Sequence, residues 1–188
     1  MREKFNLKSN TKLLLTVGRL EKIKGQHHLL KALALPILKE ESIVLFLVGH
    51  GSREEYFRKL SYKLKIDDKV FFLGIRKDIP QLMASCDLLI IPSESEGLPF
   101  VLLEGMAAGI PVIATSVGRI PKIIGKDERG LIVPPKNSYE LAKKIKFAIK
   151  EKEYLEDLSK KAQVFIEKNY NESIMLKKYK KIYNELIF

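Results

Sequence analysis

Two stretches of this 188-residue chain carry residue types that could act together on one ligand. The first is Gly18-Arg19-Leu20-Glu21-Lys22-Ile23-Lys24-Gly25, which sets Arg19 and Lys24 between two glycines at the entrance to a helix-period segment. Glycine permits close backbone approach, a helix N-terminus attracts anions, and Arg and Lys supply full charge, so the loop suits phosphate. It is not a Walker loop, because the G-x-x-x-x-G-K-[ST] spacing is absent. The second stretch is Pro92-Ser93-Glu94-Ser95-Glu96-Gly97-Leu98-Pro99-Phe100-Val101-Leu102-Leu103-Glu104. Pro99 suits the first helical position, where a missing N–H costs nothing, and the amides of Gly97, Leu98 and Phe100 then form an anion site at the helix start. Glu96 and Glu104 would stand about 12 Å apart at 1.5 Å per residue if every residue between them were helical. Glycosidase carboxylate pairs lie about 5–10 Å apart around a single bond, and here an anion-attracting helix end falls between the two groups. The better reading is that each carboxylate accepts hydrogen bonds from sugar hydroxyls at opposite ends of a diphosphate. The apolar or small residues at 100–103 and 106–110 predict a largely buried Glu104 that needs partners.

Two shorter turns complete the set. Gly49-His50-Gly51 is read equally well as strand-to-helix punctuation and as a ligand contact. Gly74-Ile75-Arg76 opens a turn where a planar base could lie against backbone. His27 and His28 begin a helix and read as surface or packing residues, and Cys86 reads as a small buried core residue. A single cysteine excludes both a disulfide framework and a Cys-based zinc site, and it points to a reducing compartment.

Such loops act together only if one scaffold brings them to one edge. Apolar runs of four to eight residues alternate with helix-period segments from Lys12 to about Lys150. That alternation predicts α/β organisation: a Rossmann-like parallel sheet with helices on both faces. Strands are expected over 13–17, 43–48, 70–73, 88–91, 111–114 and 131–133, and helices over 26–39, 52–65, 79–85, 99–108 and 120–124. Ligands of open α/β sheets bind outside the carboxyl ends of the strands, where all four loops would then lie. Ser52 with Glu55, and Asn137 with Glu140, have capping-box spacing. Pro36 should kink or shorten the first helix. Beyond Pro134-Pro135 the strand signals stop, and residues 138–188 read as helical with breaks near Glu151 and Asn169-Tyr170-Asn171. The expected division is a linker-like segment over 1–11, a Rossmann-like domain over 12–150, and C-terminal helices over 151–188 packing on that domain.

The formal charge of +11 comes from 34 Lys+Arg against 23 Asp+Glu. Most of the excess falls late, at Lys143-Lys144, Lys146, Lys150, Lys160-Lys161, Lys177-Lys178 and Lys180-Lys181, interleaved with Leu, Ile, Phe and Tyr at helical spacing. That pattern is a solvated helix face, with weak membrane-surface association as the other reading. The basic loops have no interleaved aromatic stripe for stacking bases, so nucleic acid is not an expected partner. No apolar run approaches the ~20 residues of a membrane helix, and the first residues lack the run a secretory signal needs. The expected location is cytoplasmic, at most peripheral to the inner face of a membrane.

With Gly18-Arg19, Lys24-Gly25, Gly49-x-Gly51 and Glu96-Gly97-Leu98-Pro99-Phe100 through Glu104 in this order, the sequence resembles the nucleotide-sugar-binding C-terminal domain of the retaining GT-B glycosyltransferases, glycosyl transferases group 1 or family 4. The resemblance extends to Pro111-Val112-Ile113-Ala114-Thr115, to Gly130-Leu131-Ile132-Val133-Pro134-Pro135 and to the lysine-rich terminal helices, nearly the whole chain. Its most specific part is the pair of glutamates eight positions apart embedded in E-G-L-P-F.

The resemblance implies that Arg19 and Lys24, beside Gly18 and Gly49, grip the diphosphate of a UDP- or GDP-type sugar donor. The segment Gly97, Leu98, Pro99, Phe100 and Val101 would help to hold it. Glu96 would bind hydroxyls of the transferred sugar and Glu104 the ribose hydroxyls, while Gly74, Ile75 and Arg76 would meet the base. Arg19, Lys24 and Glu96 are the implied catalytic residues. No cofactor and no divalent metal are implied, in keeping with the lack of an Asp-x-Asp motif. Charge grows on the departing nucleoside diphosphate as the glycosidic bond breaks, so fixed cations and amides stabilise the transition state more than the ground state. The usual mechanism of the family is a front-face displacement without an enzyme nucleophile.

Three departures stand out. Gly118-Arg119-Ile120-Pro121-Lys122 replaces the common Gly-Gly-x-Pro-Glu and adds positive charge near the donor edge. Gly105 stands where alanine is common, and since glycine inside a helix costs about 1 kcal/mol, close packing is the expected reason. The first Rossmann-like domain, which binds the acceptor in the family, has no counterpart in this sequence. An N-terminal acceptor-binding domain, in cis or in trans, is therefore an expected partner. The alternative is a non-catalytic nucleotide-sugar-binding module or one subunit of a split transferase.

Overall fold

A computed structural model of the chain describes residues 1–171 together with Leu176 and Tyr183. Six strands form one parallel sheet: β1 (Lys12–Val17), β2 (Ile43–Val48), β3 (Val70–Gly74), β4 (Leu88–Ile91), β5 (Val112–Thr115) and β6 (Leu131–Val133), in the order β3-β2-β1-β4-β5-β6. The near-continuous apolar runs of β1, β2, β4 and β5 follow from burial on both faces, as parallel sheets require. Seven α-helices accompany them among the described residues: α1 (Gln26–Leu33), α2 (Glu54–Lys63), α3 (Ile79–Ser85), α4 (Phe100–Ala108), α5 (Ile120–Ile124), α6 (Ser138–Lys150) and α7 (Lys152–Asn169).

Alternate side chains of each strand feed two cores. Leu14, Leu45, Leu47 and Ile90 pack with Leu29 and Leu30 of α1, Phe57 of α2 and Leu141 of α6. On the opposite face Leu13, Leu15, Phe46 and Leu89 meet Leu82 of α3, Leu102 and Met106 of α4, and Ile123 of α5. Helix α7 serves both, with Leu155 and Leu158 in the first core and Ala162 and Ile166 in the second. The Rossmann-like expectation holds. The N-terminal segment packs too: the Phe5 ring lies 5.1 Å from that of Phe46 and 4.7 Å from that of Phe71.

Pro36 ends α1 early as expected, and residues Pro36–Leu38 form a separate 3-10 turn. The Asn137 cap forms, its side chain accepting from the Glu140 amide at 3.0 Å. The Ser52–Glu55 capping box does not. Glu21 takes both the Ser52 amide, at 3.0 Å, and its hydroxyl, at 2.9 Å, so α2 starts two residues later at Glu54, while Glu55 pairs with Lys59. Gly105 is explained: a Cβ there would sit 2.3 Å from Cδ2 of Leu89, so the bare backbone lets α4 rest on β4. Helix α7 ends at Asn169, at the expected break. The lysines at 177, 178, 180 and 181 lie outside the described residues, and no described helix is long and apolar enough to cross a membrane.

Candidate functional site

Chain order runs outward from β1 to β3 in one direction and from β4 to β6 in the other, so β1 and β4 flank the topological switch point, where such sheets bind ligands. The loops after these two strands touch. The Glu94 amide donates to the Ile23 carbonyl at 2.8 Å, and a Cβ on Gly25 would fall 1.9 Å from the Pro92 carbonyl oxygen. Across this contact Lys24 Nζ donates to Glu96 Oε1 at 2.7 Å, and Ser93 Oγ donates to the same oxygen at 2.7 Å. The two charged side chains are 25% and 10% exposed, which makes this a half-sheltered pair held at the sheet edge.

The neighbouring strands brace both loops. Thr115 at the end of β5 donates its hydroxyl to the Ser93 carbonyl at 2.6 Å, and the Arg119 amide donates to Gly97 O at 3.1 Å. A Cβ on Gly118 would come within 1.8 Å of Glu96 O. On the other side a Cβ on Gly49 would lie 2.0 Å from Gly18 O, and one on Gly51 2.5 Å from Leu20 O. The Gly-x-Gly turn is thus the place where two loops come into backbone contact, and its glycines have a steric reason.

The predicted loop residues follow strands that end at this edge, with unequal constraint. Lys24 and Glu96 touch, and Gly18 and Gly49 meet through their backbones. Arg19 is exposed, although its carbonyl is tied to Gln26 Nε2 at 2.9 Å. Ile75 is 79% exposed beyond β3, and Arg76 is engaged by Asp78 at 2.8 Å. Pro99 is the N-cap, with extended backbone, and α4 begins at Phe100, one residue later than expected. Leu98 and Val101 are half-buried, while Gly97 and Phe100 are exposed. Glu104 lies one turn into α4 and is exposed, with no hydrogen bond or ion pair among the described residues, so the expected burial is corrected. The reason is directional: Leu102, Gly105 and Met106 form the face against the sheet, and the small or apolar residues Phe100, Ala107 and Ala108 are themselves at the surface. Arg119 and Lys122 are likewise exposed.

Sequence reasoning missed Glu94. Its Oε1 lies 3.2 Å from Nε2 of both His27 and His28, and its Oε2 lies 3.3 Å from Lys136 Nζ. Partial burial pushes the Glu94 carboxyl upward, yet hydrogen bonds from Lys136 and His28 outweigh it and leave the group below the usual range. Burial, reinforced by the charge of His28, pushes His27 down to about 4 against the pull of Glu94. His27 and His28 are therefore half-buried partners of a carboxylate on another loop. The available signal was their position directly after Gly25, but only the β1–β4 adjacency supplies Glu94. Ser93 and Thr115, both nearly inaccessible, were also passed over. Cys86 is half-buried at the margin of the second core rather than within it, which corrects its reading as a buried residue, and burial with the neighbouring Asp87 pushes its thiol up to about 12. Two grooves of about 730 Å³ run along α7, and none of the residues predicted for the site lines them.

An all-parallel sheet whose switch-point loops present cations and a sheltered carboxylate, with a second carboxylate one turn into the following helix, defines an α/β domain of Rossmann type. The chain belongs to the glycosyl transferases group 1 family, whose model matches residues 1–165. It is 27% identical over its full length to N-acetyl-alpha-D-glucosaminyl L-malate synthase of Bacillus anthracis, matching 49% of that protein. The structure of Anabaena Alr3699/HepE in complex with UDP-glucose superposes with a TM-score of 0.88 at 28% identity, covering 97% of this chain and 51% of the other. The C-terminal domain of the group 1 protein LpcC from Francisella tularensis matches with a TM-score of 0.77 at 25% identity, covering 86% of this chain and 87% of that domain. The chain spans about half the length of the first of these relatives, and its fold is that of the C-terminal half of GT-B glycosyltransferases.

Proposed function

We propose that this chain is the donor-binding half of a retaining glycosyltransferase that moves a sugar from a nucleoside diphosphate sugar, of UDP type, to an acceptor hydroxyl. The observation that carries the reading is the Lys24–Glu96 contact at the switch point, with Glu104 one turn along α4. UDP-glucose in the Anabaena relative supports the donor class, and the two-fold greater length of the relatives supports an acceptor domain in cis or in trans.

In this reading Lys24 and Arg19 face the diphosphate, Glu96 accepts hydrogen bonds from hydroxyls of the transferred sugar, and Glu104 accepts them from the ribose. The Lys24–Glu96 pair keeps each group in place before the donor arrives, so little reorganisation remains for the reaction. The bond from the anomeric carbon to the diphosphate oxygen breaks with its electron pair passing to the phosphate. The acceptor oxygen bonds to that carbon from the same face, and its proton passes to the leaving phosphate. The two cations stabilise the charge that develops, without a metal ion.

Calorimetric titration of UDP-glucose into wild type, Lys24→Ala and Glu104→Ala tests the site. Both substitutions should weaken binding by about tenfold or more, as expected for losing a hydrogen bond to a charged group. Unchanged affinity in both rejects the assignment. Product analysis with and without an acceptor domain separates transfer from a binding module.

A further inference from the structure

Three metal-ligating side chains, two from a helix start and one from a loop, converge beside the Lys24–Glu96 pair without belonging to it. His27 and His28 open α1, and Glu94 sits in the loop after β4. Their ligand atoms all lie within 4.8 Å of one another, and both imidazole Nε2 atoms stand 3.2 Å from the single oxygen Oε1 of Glu94. Zinc holds such ligands tetrahedrally at about 2.0–2.1 Å, which sets neighbouring ligand atoms about 3.3–3.4 Å apart. The two nitrogen–oxygen separations are thus close to the edges that one ion would impose. We propose that His27, His28 and Glu94 bind one divalent transition-metal ion of the zinc type, with the fourth position left to water.

The surroundings favour that ion over a harder one. Two imidazoles and one carboxylate suit zinc or its neighbours, whereas magnesium and calcium prefer oxygen sets. The ligands are 13% to 15% exposed, and Lys136 at 3.3 Å occupies the other carboxylate oxygen, so Oε1 is offered as a single donor. The backbone is already fixed by the Glu94–Ile23 hydrogen bond and the Gly25–Pro92 approach, and the His27 ring stacks 6.5 Å from that of Phe57. An ion here ties the start of α1 to the loop that carries Glu96. It is a fastening beside the donor edge, outside the transfer step, and it stands whether or not the chain transfers sugar.

Zinc chloride titrated into chelator-stripped protein should bind at one ion per chain and raise the melting temperature. His28→Ala and Glu94→Gln should each weaken binding at least about tenfold. His50→Ala removes an exposed imidazole paired with Glu54 at 3.2 Å and should change nothing. Magnesium chloride should give no saturable binding. X-ray absorption at the zinc edge of the loaded wild type reads the ligands without any variant: two imidazoles and oxygen are expected. Absence of stoichiometric zinc, a sulfur shell from Cys86, or loss of binding in His50→Ala overturns the proposal.

Discussion

The two glutamates that stand eight positions apart in the sequence have opposite surroundings. Glu96 is 10% exposed and receives Lys24 and Ser93, on a loop whose neighbours leave no room for a side chain at Gly25 or Gly118. Glu104 is exposed on α4, with no hydrogen bond or ion pair among the described residues. One carboxylate is built into the fold and the other is only presented by it. If the comparison is right, changes around Glu96 damage stability as well as binding, and changes around Glu104 damage binding alone.

The largest effect should come from Gly25→Ala. Gly25 has φ of 69°, and its new Cβ would meet backbone oxygen of Pro92 at 1.9 Å, where no side-chain movement relieves the clash. Left-handed backbone alone costs a non-glycine residue about 1–3 kcal/mol. With the clash added, thermal unfolding should fall by about 10 °C, at roughly 2–4 °C per kcal/mol for a domain of this size. Gly97→Ala is the matched control on the open side, where nothing lies within 4 Å of the added atom, and it should leave the melting temperature nearly unchanged. Equal losses in the two variants break the comparison.

Lys24→Ala should come next. It leaves Glu96 sheltered without its cation, and breaking a fully buried pair costs about 3–5 kcal/mol. Lys24 is one-quarter exposed and Ser93 remains as a donor, so roughly 1–2 kcal/mol is expected by chemical denaturation. Lys24→Ala, Glu96→Gln should recover part of that loss, because the neutral amide no longer needs a cation. No recovery in the double variant means the pair contributes through packing rather than charge.

A smaller effect is expected from pH. His27 is held near 4 against an ordinary 6.5, so the folded state favours its neutral form. The stability this contributes is fully present above about 6.5 and is lost as pH falls towards 4. Glu94, whose carboxyl is held low, adds a loss with the same sign as pH falls through the acid range. Melting temperatures of wild type should therefore drop more steeply between pH 7 and 4.5 than those of His27→Gln. Parallel slopes mean that His27 titrates alike in the folded and unfolded chain.

The sequence revealed those parts whose cause is local. Strands β2, β4 and β6 have the expected limits because burial on both faces makes the apolar run and the strand the same thing. The loops at the switch point were legible because their chemistry is written consecutively, from Arg19 to Lys24 and from Glu96 to Glu104. Partners from distant segments were not. Ser52 looked like a helix cap until Glu21, 31 residues earlier, was found to hold it. His27 and His28 acquire meaning only from Glu94, which reaches them because β4 lies beside β1. The exposure of Glu104 was misread because α4 is apolar on almost every side and so lacks the polar stripe that marks an outward face.

That misreading makes Glu104→Ala the smallest perturbation of the fold and the sharpest test of the contrast. An exposed helix carboxylate with no partner among the described residues contributes within about 0.5 kcal/mol, and alanine is the better helix former, so denaturation midpoints should stay level or rise slightly. No described residue holds Glu104 in place, so any loss of UDP-glucose affinity in a variant of unchanged stability belongs to contacts made with the ligand. Glu104→Gln sharpens the point, since an amide can still accept one hydrogen bond from a ribose hydroxyl but lacks the charge, and it should fall between wild type and Glu104→Ala. A drop in stability for Glu104→Ala comparable to that of Lys24→Ala erases the distinction between the two carboxylates. Full affinity in both Glu104 variants leaves the ribose without its proposed acceptor and confines the site to the loops around Lys24 and Glu96.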